Sequence, residues 1–268
     1  MSGLTLRLRA PLGERINLTG LAPLAAAAQD ADAVRRMIVV AGARTATIGD
    51  IYFVSGTPGE LMEIESSARV DGVGAGMNGG TMRIEGDVGA DAARGMRNGR
   101  LDIRGCAGTH LASGMTGGLV VVTGDAGAHV GAARPGERFG MAGGMVVVGG
   151  DTGERSGDRM RRGTIVIRGM AGPAAGSRMM GGTIWTERGF HAGPGPLLRR
   201  GTLIGPSIDH VLPTFADCGW HDMVVLRLLN RHIADTLGSL APTPLPAKVR
   251  RLAGDLATIG KGEILLTA

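Results

Sequence analysis

Short runs of alternating apolar and polar residues recur through the middle of the chain, and each is opened by a glycine. The glycines are Gly80, Gly99, Gly118, Gly144, Gly163, Gly182 and Gly201, spaced by 19, 19, 26, 19, 19 and 19 residues. Two positions after each lies an apolar residue: Met82, Leu101, Val120, Val146, Ile165, Ile184 and Leu203. Four positions after lie Ile84, Ile103, Val122, Val148, Ile167 and then Thr186. Period-2 alternation over so short a run predicts a strand with one buried face. A second column, three residues before each glycine, keeps the same steps: Met77, Met96, Met115, Met141, Met160, Met179 and Leu198. Two columns sharing one period, with glycines at further corners such as Gly124, Gly127 and Gly131, describe a structural repeat with no room for a helix.

A unit of about twenty residues cannot bury its apolar face alone, but stacked units can. The expected fold is therefore all-β: a right-handed parallel β-helix of about seven coils over residues 56–205. Coils ~4.8 Å apart would make a core on the order of 30 Å long. The methionine and aliphatic columns become ladders inside it. A cofactor- or metal-binding stripe is the alternative for the methionines, but flexible Met commonly fills gaps in a narrow core.

The flanks follow other patterns. Ser2 to Ala10 alternates Leu4, Leu6 and Leu8 with polar residues and reads as an edge strand. Residues 20–37 suggest one or two short helices. Ile38–Val40, Ile51–Val54 and Leu61–Ile64 look like strands, so residues 1–55 form an N-terminal cap over an otherwise open sheet edge. After Gly205 the period stops. Apolar residues from Met223 to Leu237 are spaced for an amphipathic helix that ends at Gly238. Pro242, Pro244 and Pro246 make a stiff linker, and Val249 to Leu266 is expected on the far end of the stack or on another subunit. Residues 206–268 are thus a helix-containing tail.

The third position after each marker glycine faces outward in this reading. It is Arg83 and Asp102, and then Val121, Val147, Val166, Trp185 and Ile204. A continuous apolar stripe marks an interaction surface, so these five residues are the candidate partner interface. The chain's own C-terminal helix is the other possible cover. The seven extra residues fall in Ala132 to Phe139, keep the core columns in register and must loop outward, a place where repeat arrays often bind.

Composition narrows the function. With 29 basic and 24 acidic residues the net charge is +5, and all but Lys248 and Lys261 of the basic residues are Arg. The charge is scattered, and only seven aromatic residues are present (four Phe, two Trp, one Tyr), so a nucleic-acid partner is not expected. Cys106 and Cys218 have no metal-ligand spacing and read as free thiols of a cytoplasmic protein. Met1 to Arg9 lacks the apolar core of a signal peptide, and no run is long enough to span a membrane. No GxSxG, HExxH or P-loop motif is present. Eleven positions after the markers, Asp91, His110 and His129 would stack within ~5 Å, a weak metal candidate against the simpler reading of a polar ladder. Arg159, Arg161, Arg162, Arg178, Arg199 and Arg200 form a basic band at the edge of the stack, suited to an acidic partner or substrate.

The GxxGxxxG spacing, the segment Gly49 to Val54 and the tail from Gly254-Asp255 to Ile264 resemble the family of the C subunit of formylmethanofuran dehydrogenase. They are most similar to the C subunit of the bacterial formyltransferase/hydrolase complex. The coils are also similar to the C-terminal domain of glutamate synthase large chains. The resemblance implies a non-catalytic structural subunit of a complex that converts formyl-tetrahydromethanopterin to formate through a methanofuran or methylofuran carrier. It implies formyltransferase, amidohydrolase-like hydrolase and dehydrogenase-like partners that hold the metal. Arg161, Arg162, Arg199 and Arg200 would meet the carrier's glutamate-bearing tail. A molybdenum or tungsten dehydrogenase subunit and a free-standing binding protein are the alternatives.

Overall fold

The computed structural model describes residues 3–28, 30–67 and 69–267. The chain is mostly β. Its largest element is a 13-stranded sheet in which the marker strands lie side by side. In order along the sheet they are Asn78–Glu85, Asn98–Arg104, Leu119–Val122, Ala142–Val148, Arg162–Ile167, Met180–Thr186 and Arg200–Gly205, each parallel to the next. The registers are those of the repeat. Met82 pairs Leu101, Leu101 pairs Val120, and the column continues through Val146, Ile165 and Ile184 to Leu203. The 26-residue step does not shift it, because Ala132 to Phe139 leaves the ladder entirely.

A second parallel ladder runs through single bridges from Val88 to Ala107, Ala126, Thr152 and Ala171. All five of these residues are buried. The methionines share one core with both ladders, and Met77, Met96, Met115, Met141, Met160 and Met179 are all fully buried.

The two sequence columns turn out to be one contact. Each marker glycine has φ between 74° and 111°, a region that costs a side chain but not glycine. A Cβ on Gly163 would lie 2.8 Å from both the carbonyl oxygen of Gly144 and the methyl of Met141. On Gly182 it would meet the Met160 methyl, also at 2.8 Å. Each methionine therefore reaches forward and fills the space that the next repeat's glycine leaves. Where the alternation breaks, at Thr186, the buried hydroxyl donates to the Gly169 carbonyl (2.6 Å) and accepts from the Gly189 amide (3.1 Å), so a polar atom is carried inside without loss.

The flanks extend the sheet at both ends. Leu61–Glu65 adds in parallel to the first marker strand. Leu4–Leu8 then pairs Leu61–Glu65 in parallel and Tyr52–Gly56 antiparallel. Leu4–Leu8 is thus an interior strand, and Tyr52–Gly56 is the edge; Ser2, where the edge strand was expected to start, lies outside the described residues. Alternation shows which face of a strand is buried but not how many neighbours it has. The expected short helices are Pro23–Ala27 and Ala31–Arg36. Ile51, expected in a strand, instead ends the helix Ile48–Ile51, which Thr47 and Asp50 hold in a reciprocal capping box. The C-terminal helix is Val224–Leu237. The tail then returns to the sheet: Lys261–Leu266 pairs in parallel with Arg200–Gly205, and Lys248–Gly254 and Ala216–Asp222 follow antiparallel.

Past the last corner there is no further repeat to accept its amides. In earlier repeats the Arg159 and Arg178 amides donate to the carbonyls of Ser177 and Pro196. The equivalent Leu197 amide donates to the carboxylate of Asp255 at 2.8 Å, and Ala257 donates to its other oxygen at 2.8 Å. Asp255 is 3% exposed. Burial pushes its carboxyl up, but hydrogen bonds from the Thr214 hydroxyl and the Ala257 and Leu197 amides outweigh burial and hold it below the usual value. A depressed folded-state pKa gives stability that is present above the unfolded value of about 3.9 and is lost as pH falls through the folded value. Asp255→Ala is expected to cost about 2 kcal/mol at pH 7, the scale of a buried amide left unpaired. In chemical denaturation at a series of pH values, the stability gap between wild type and Asp255→Asn should narrow as pH drops from 6 to 3.

Candidate functional site

The insertion joins two sequence features that looked separate. Arg134 folds back to pair with Asp91 (2.6 Å), and Glu137 accepts from Arg94 (2.9 Å). The Glu137 carbonyl accepts from Arg159 on the other side (3.0 Å). The loop thus lies across several repeats, held at both ends, and delivers Arg138 and Phe139 to the arginine band. The guanidinium groups of Arg138 and Arg161 each lie 5.0 Å from the centre of the Phe139 ring, cation–π contacts that orient both.

Beside them is a cavity of about 460 Å³ whose lining includes Arg138, Phe139, Arg159, Arg178, Arg199 and Thr258. Among the described residues no carboxylate lines it. Asp158, buried beneath, neutralises Arg178 through two bonds of 2.9 and 2.8 Å. Arg138, Arg159 and Arg199 form no ion pair among the described residues. Three uncompensated guanidinium groups around one concavity suit an anionic ligand, which they can hold with paired hydrogen bonds. Of the four arginines singled out from sequence, Arg199 lines the cavity and Arg161 adjoins it through Phe139. Arg162 and Arg200 are exposed, open their strands and are not among the residues lining the cavity. Thr258 carries no signal in the sequence. It comes from the tail, and its hydroxyl is anchored on the Leu198 and Asp255 carbonyls at 2.9 Å.

The Asp91, His110 and His129 column does stack: the two imidazole rings are 4.8 Å apart and inclined by 22°. Desolvation first, and then the neighbouring His129, push His110 below its usual pKa, so the neutral form is favoured. Asp91 is taken by Arg134 rather than by the histidines. Among the described residues, no three His, Cys, Asp or Glu side chains are grouped to hold a metal ion.

The outward stripe has a different fate from the one its pattern suggested. Val121, Val147, Val166, Trp185 and Ile204 are aligned in register and continue to Leu265. All are buried, at 7% exposure or less. Val147, Val166, Trp185 and Ile204 form one apolar cluster with Leu226, Ile233 and Leu237 of the C-terminal helix and with Leu245 and Val249. Four of the five residues expected as a partner interface therefore form an internal seam, because the chain's own tail reaches them first; Val121 is buried outside this cluster. The helix turns other apolar residues outward: Val224, Val225 and Leu228 are 62%, 53% and 62% exposed, close in sequence to Trp220 at 54%. None of the chain's described helices is long and apolar enough to cross a membrane.

No family model matches the chain. The C subunit of the formyltransferase/hydrolase complex Fhc from Methylorubrum extorquens is 44% identical over 265 residues, covering 98% of this chain and 99% of that protein. A chain in the X-ray crystal structure of the formyltransferase/hydrolase complex (FhcABCD) from Methylorubrum extorquens in complex with methylofuran is 39% identical and superposes with a TM-score of 0.89. That likeness covers 98% of this chain and 99% of the other. Fold and site together define a mostly β protein of stacked parallel strands that presents a basic cavity at one edge. The chain belongs to the family of the C subunit of the formyltransferase/hydrolase complex.

If the seam is internal, a charge in it has no solvent to reach. Val147→Arg and Trp185→Arg are each expected to lower folding stability by several kcal/mol, the cost of an unpaired buried charge. Thermal melts followed by circular dichroism check this; a variant melting like wild type would show that the helix does not hold the seam.

Proposed function

We propose that this chain is the non-catalytic, structural C subunit of a cytoplasmic formyltransferase/hydrolase complex. In this reading its repeats close into a right-handed parallel β-helix, and other subunits carry the formyltransferase and metal-dependent hydrolase sites. The complex passes a formyl group from formyl-tetrahydromethanopterin through a methylofuran carrier to formate. The observation that carries the proposal is the end-to-end correspondence with one chain of FhcABCD, in both sequence and fold.

Two surfaces are assigned within this reading. The cavity of Arg138, Arg159 and Arg199 takes the anionic part of the carrier; its uncompensated positive charge supports this. The outer face of the C-terminal helix, Val224, Val225 and Leu228 with Trp220, takes a partner subunit. Four large apolar residues within nine positions support that assignment, since exposed apolar side chains gathered in this way mark interfaces.

Both assignments are read from one preparation of the assembled complex. Trp220→Arg combined with Leu228→Arg should leave the subunit folded and reduce co-purification of its partners at least about tenfold, as the loss of a central anchor does. Arg138→Glu combined with Arg199→Glu should leave assembly intact but lower the carrier content, measured by mass spectrometry of the extracted cofactor. Wild-type assembly by the first pair, or wild-type carrier content in the second, would remove the corresponding assignment.

A further inference from the structure

The cavity beside the insertion loop is lined by two neighbouring positions of the repeat. One is filled in successive repeats by Arg159, Arg178 and Leu197, all of which line it. The other is filled by Arg161, Met180 and Arg199, whose amides donate to the matching carbonyls of Met141, Met160 and Met179. Met180 and Arg199 line the cavity, and Arg161 borders it through Phe139. Both rows begin with arginine at the loop. The first ends in leucine, and the second passes through methionine, so the end of the cavity nearest the tail is partly apolar.

Leu197 is the residue that folding does not account for. Its φ is 59°, in the left-handed region that costs any residue but glycine. Arg159 and Arg178 share that backbone, but their side chains make structural bonds, to the Glu137 carbonyl and the Asp158 carboxylate. The Leu197 side chain is 48% exposed and packs into neither apolar cluster of the described residues. The bond from its amide to Asp255 is one that glycine would make equally well. A strained conformation that no packing offsets marks a side chain used for something other than folding. The tail turn that brings Thr258 to the cavity also carries Leu256 and Ile259, 60% and 53% exposed, and so adds apolar surface at this end.

We infer that Leu197 is the centre of an apolar subsite of this cavity, and that the ligand is an amphiphilic acid. Its carboxylates lie against Arg138, Arg159 and Arg199, and an apolar group carried on the same molecule lies against Leu197 and Met180. The inference rests on the assignment of the cavity to the anionic part of the carrier and adds a second recognition element to it.

N-benzoylglutamate and N-acetylglutamate test it, because they share two carboxylates and an amide and differ by phenyl against methyl. Isothermal titration of the full-length chain is expected to show the benzoyl compound binding about tenfold tighter, the scale for partial burial of one phenyl ring. Leu197→Gly suits the left-handed backbone and removes only a half-exposed side chain, so it should melt like wild type. It should weaken the benzoyl compound until the two affinities agree within about twofold, and leave the acetyl compound unchanged. Arg199→Gln should weaken both compounds alike, about tenfold, the loss of one charge-assisted contact. Arg97→Gln, beside a second arginine-lined cavity on the other flank of the insertion loop, should weaken neither. Equal wild-type affinity for the two compounds, or an undiminished preference in Leu197→Gly, would overturn the apolar subsite; a loss of both compounds in Arg199→Gln would then leave the anionic assignment standing. Binding of neither compound, or a loss in Arg97→Gln equal to that in Arg199→Gln, would overturn both. Reduced co-purification of partner subunits by Leu197→Gly, with the preference unchanged, would give the residue to an interface and likewise overturn the subsite.

Discussion

The contact between each methionine methyl and the next repeat's marker glycine sets the spacing of everything else. The glycine is held at positive φ, which admits no side chain cheaply, and the missing Cβ leaves a space that the methyl fills. Neither column is useful without the other. A larger residue at the glycine would collide with the backbone carbonyl of the previous repeat, and a shorter one at the methionine would leave a void in a core that tolerates few. Methionine suits the task because its unbranched chain can reach forward to a backbone atom without fixing its neighbours. Once this contact repeats, the strands must lie parallel at one register, and the Val, Ile and Leu columns become continuous ladders.

An array built this way has two ends and one outer face to protect, and the flanking segments do so by different means. Asp255 substitutes its carboxylate for the carbonyls that a further repeat would present. At the other end, Leu4–Leu8 and Tyr52–Gly56 lengthen the sheet until the edge is a short strand. The apolar outer face is covered by the C-terminal helix. The exposed strand at the tail end, Ala216–Asp222, carries a register shift between Asp217 and Trp220 with Gly219 at φ 77°. Such a bulge twists the edge and discourages further strands from adding to it. This side of the molecule therefore presents side chains, the exposed Trp220 among them, rather than an open ladder.

The arginine-lined cavities flank the place where the repeat is interrupted. The inserted loop is tied to Asp91 and Arg94 in earlier repeats and to Arg159 in a later one, and it separates two cavities lined by arginine. Regular repeats place like charges in rows, which repel one another. An irregular loop can set carboxylates and an aromatic ring among them, and so decide which guanidinium groups are neutralised and which stay free for a ligand.

The repeat, its register through the 26-residue step, the buried columns and the amphipathic helix were all legible in the sequence, because each rests on a periodicity and on residues whose conformational limits are local. The resemblance to the C-subunit family was legible for a related reason: the glycine spacing and the segments around Gly49 and Gly254 are linear signatures. What lay beyond the sequence was everything that depends on which surfaces meet. The stripe from Val121 to Ile204 has one pattern whether a partner or the chain's own helix covers it. The strand at Leu4–Leu8 alternates alike at an edge and inside a sheet. The arginine cavity needed Arg138 from the insertion, Arg178 and Arg199 from two repeats and Thr258 from the tail, brought together across 120 residues. Periodicity reports the face a residue turns; only the tertiary structure decides what it faces.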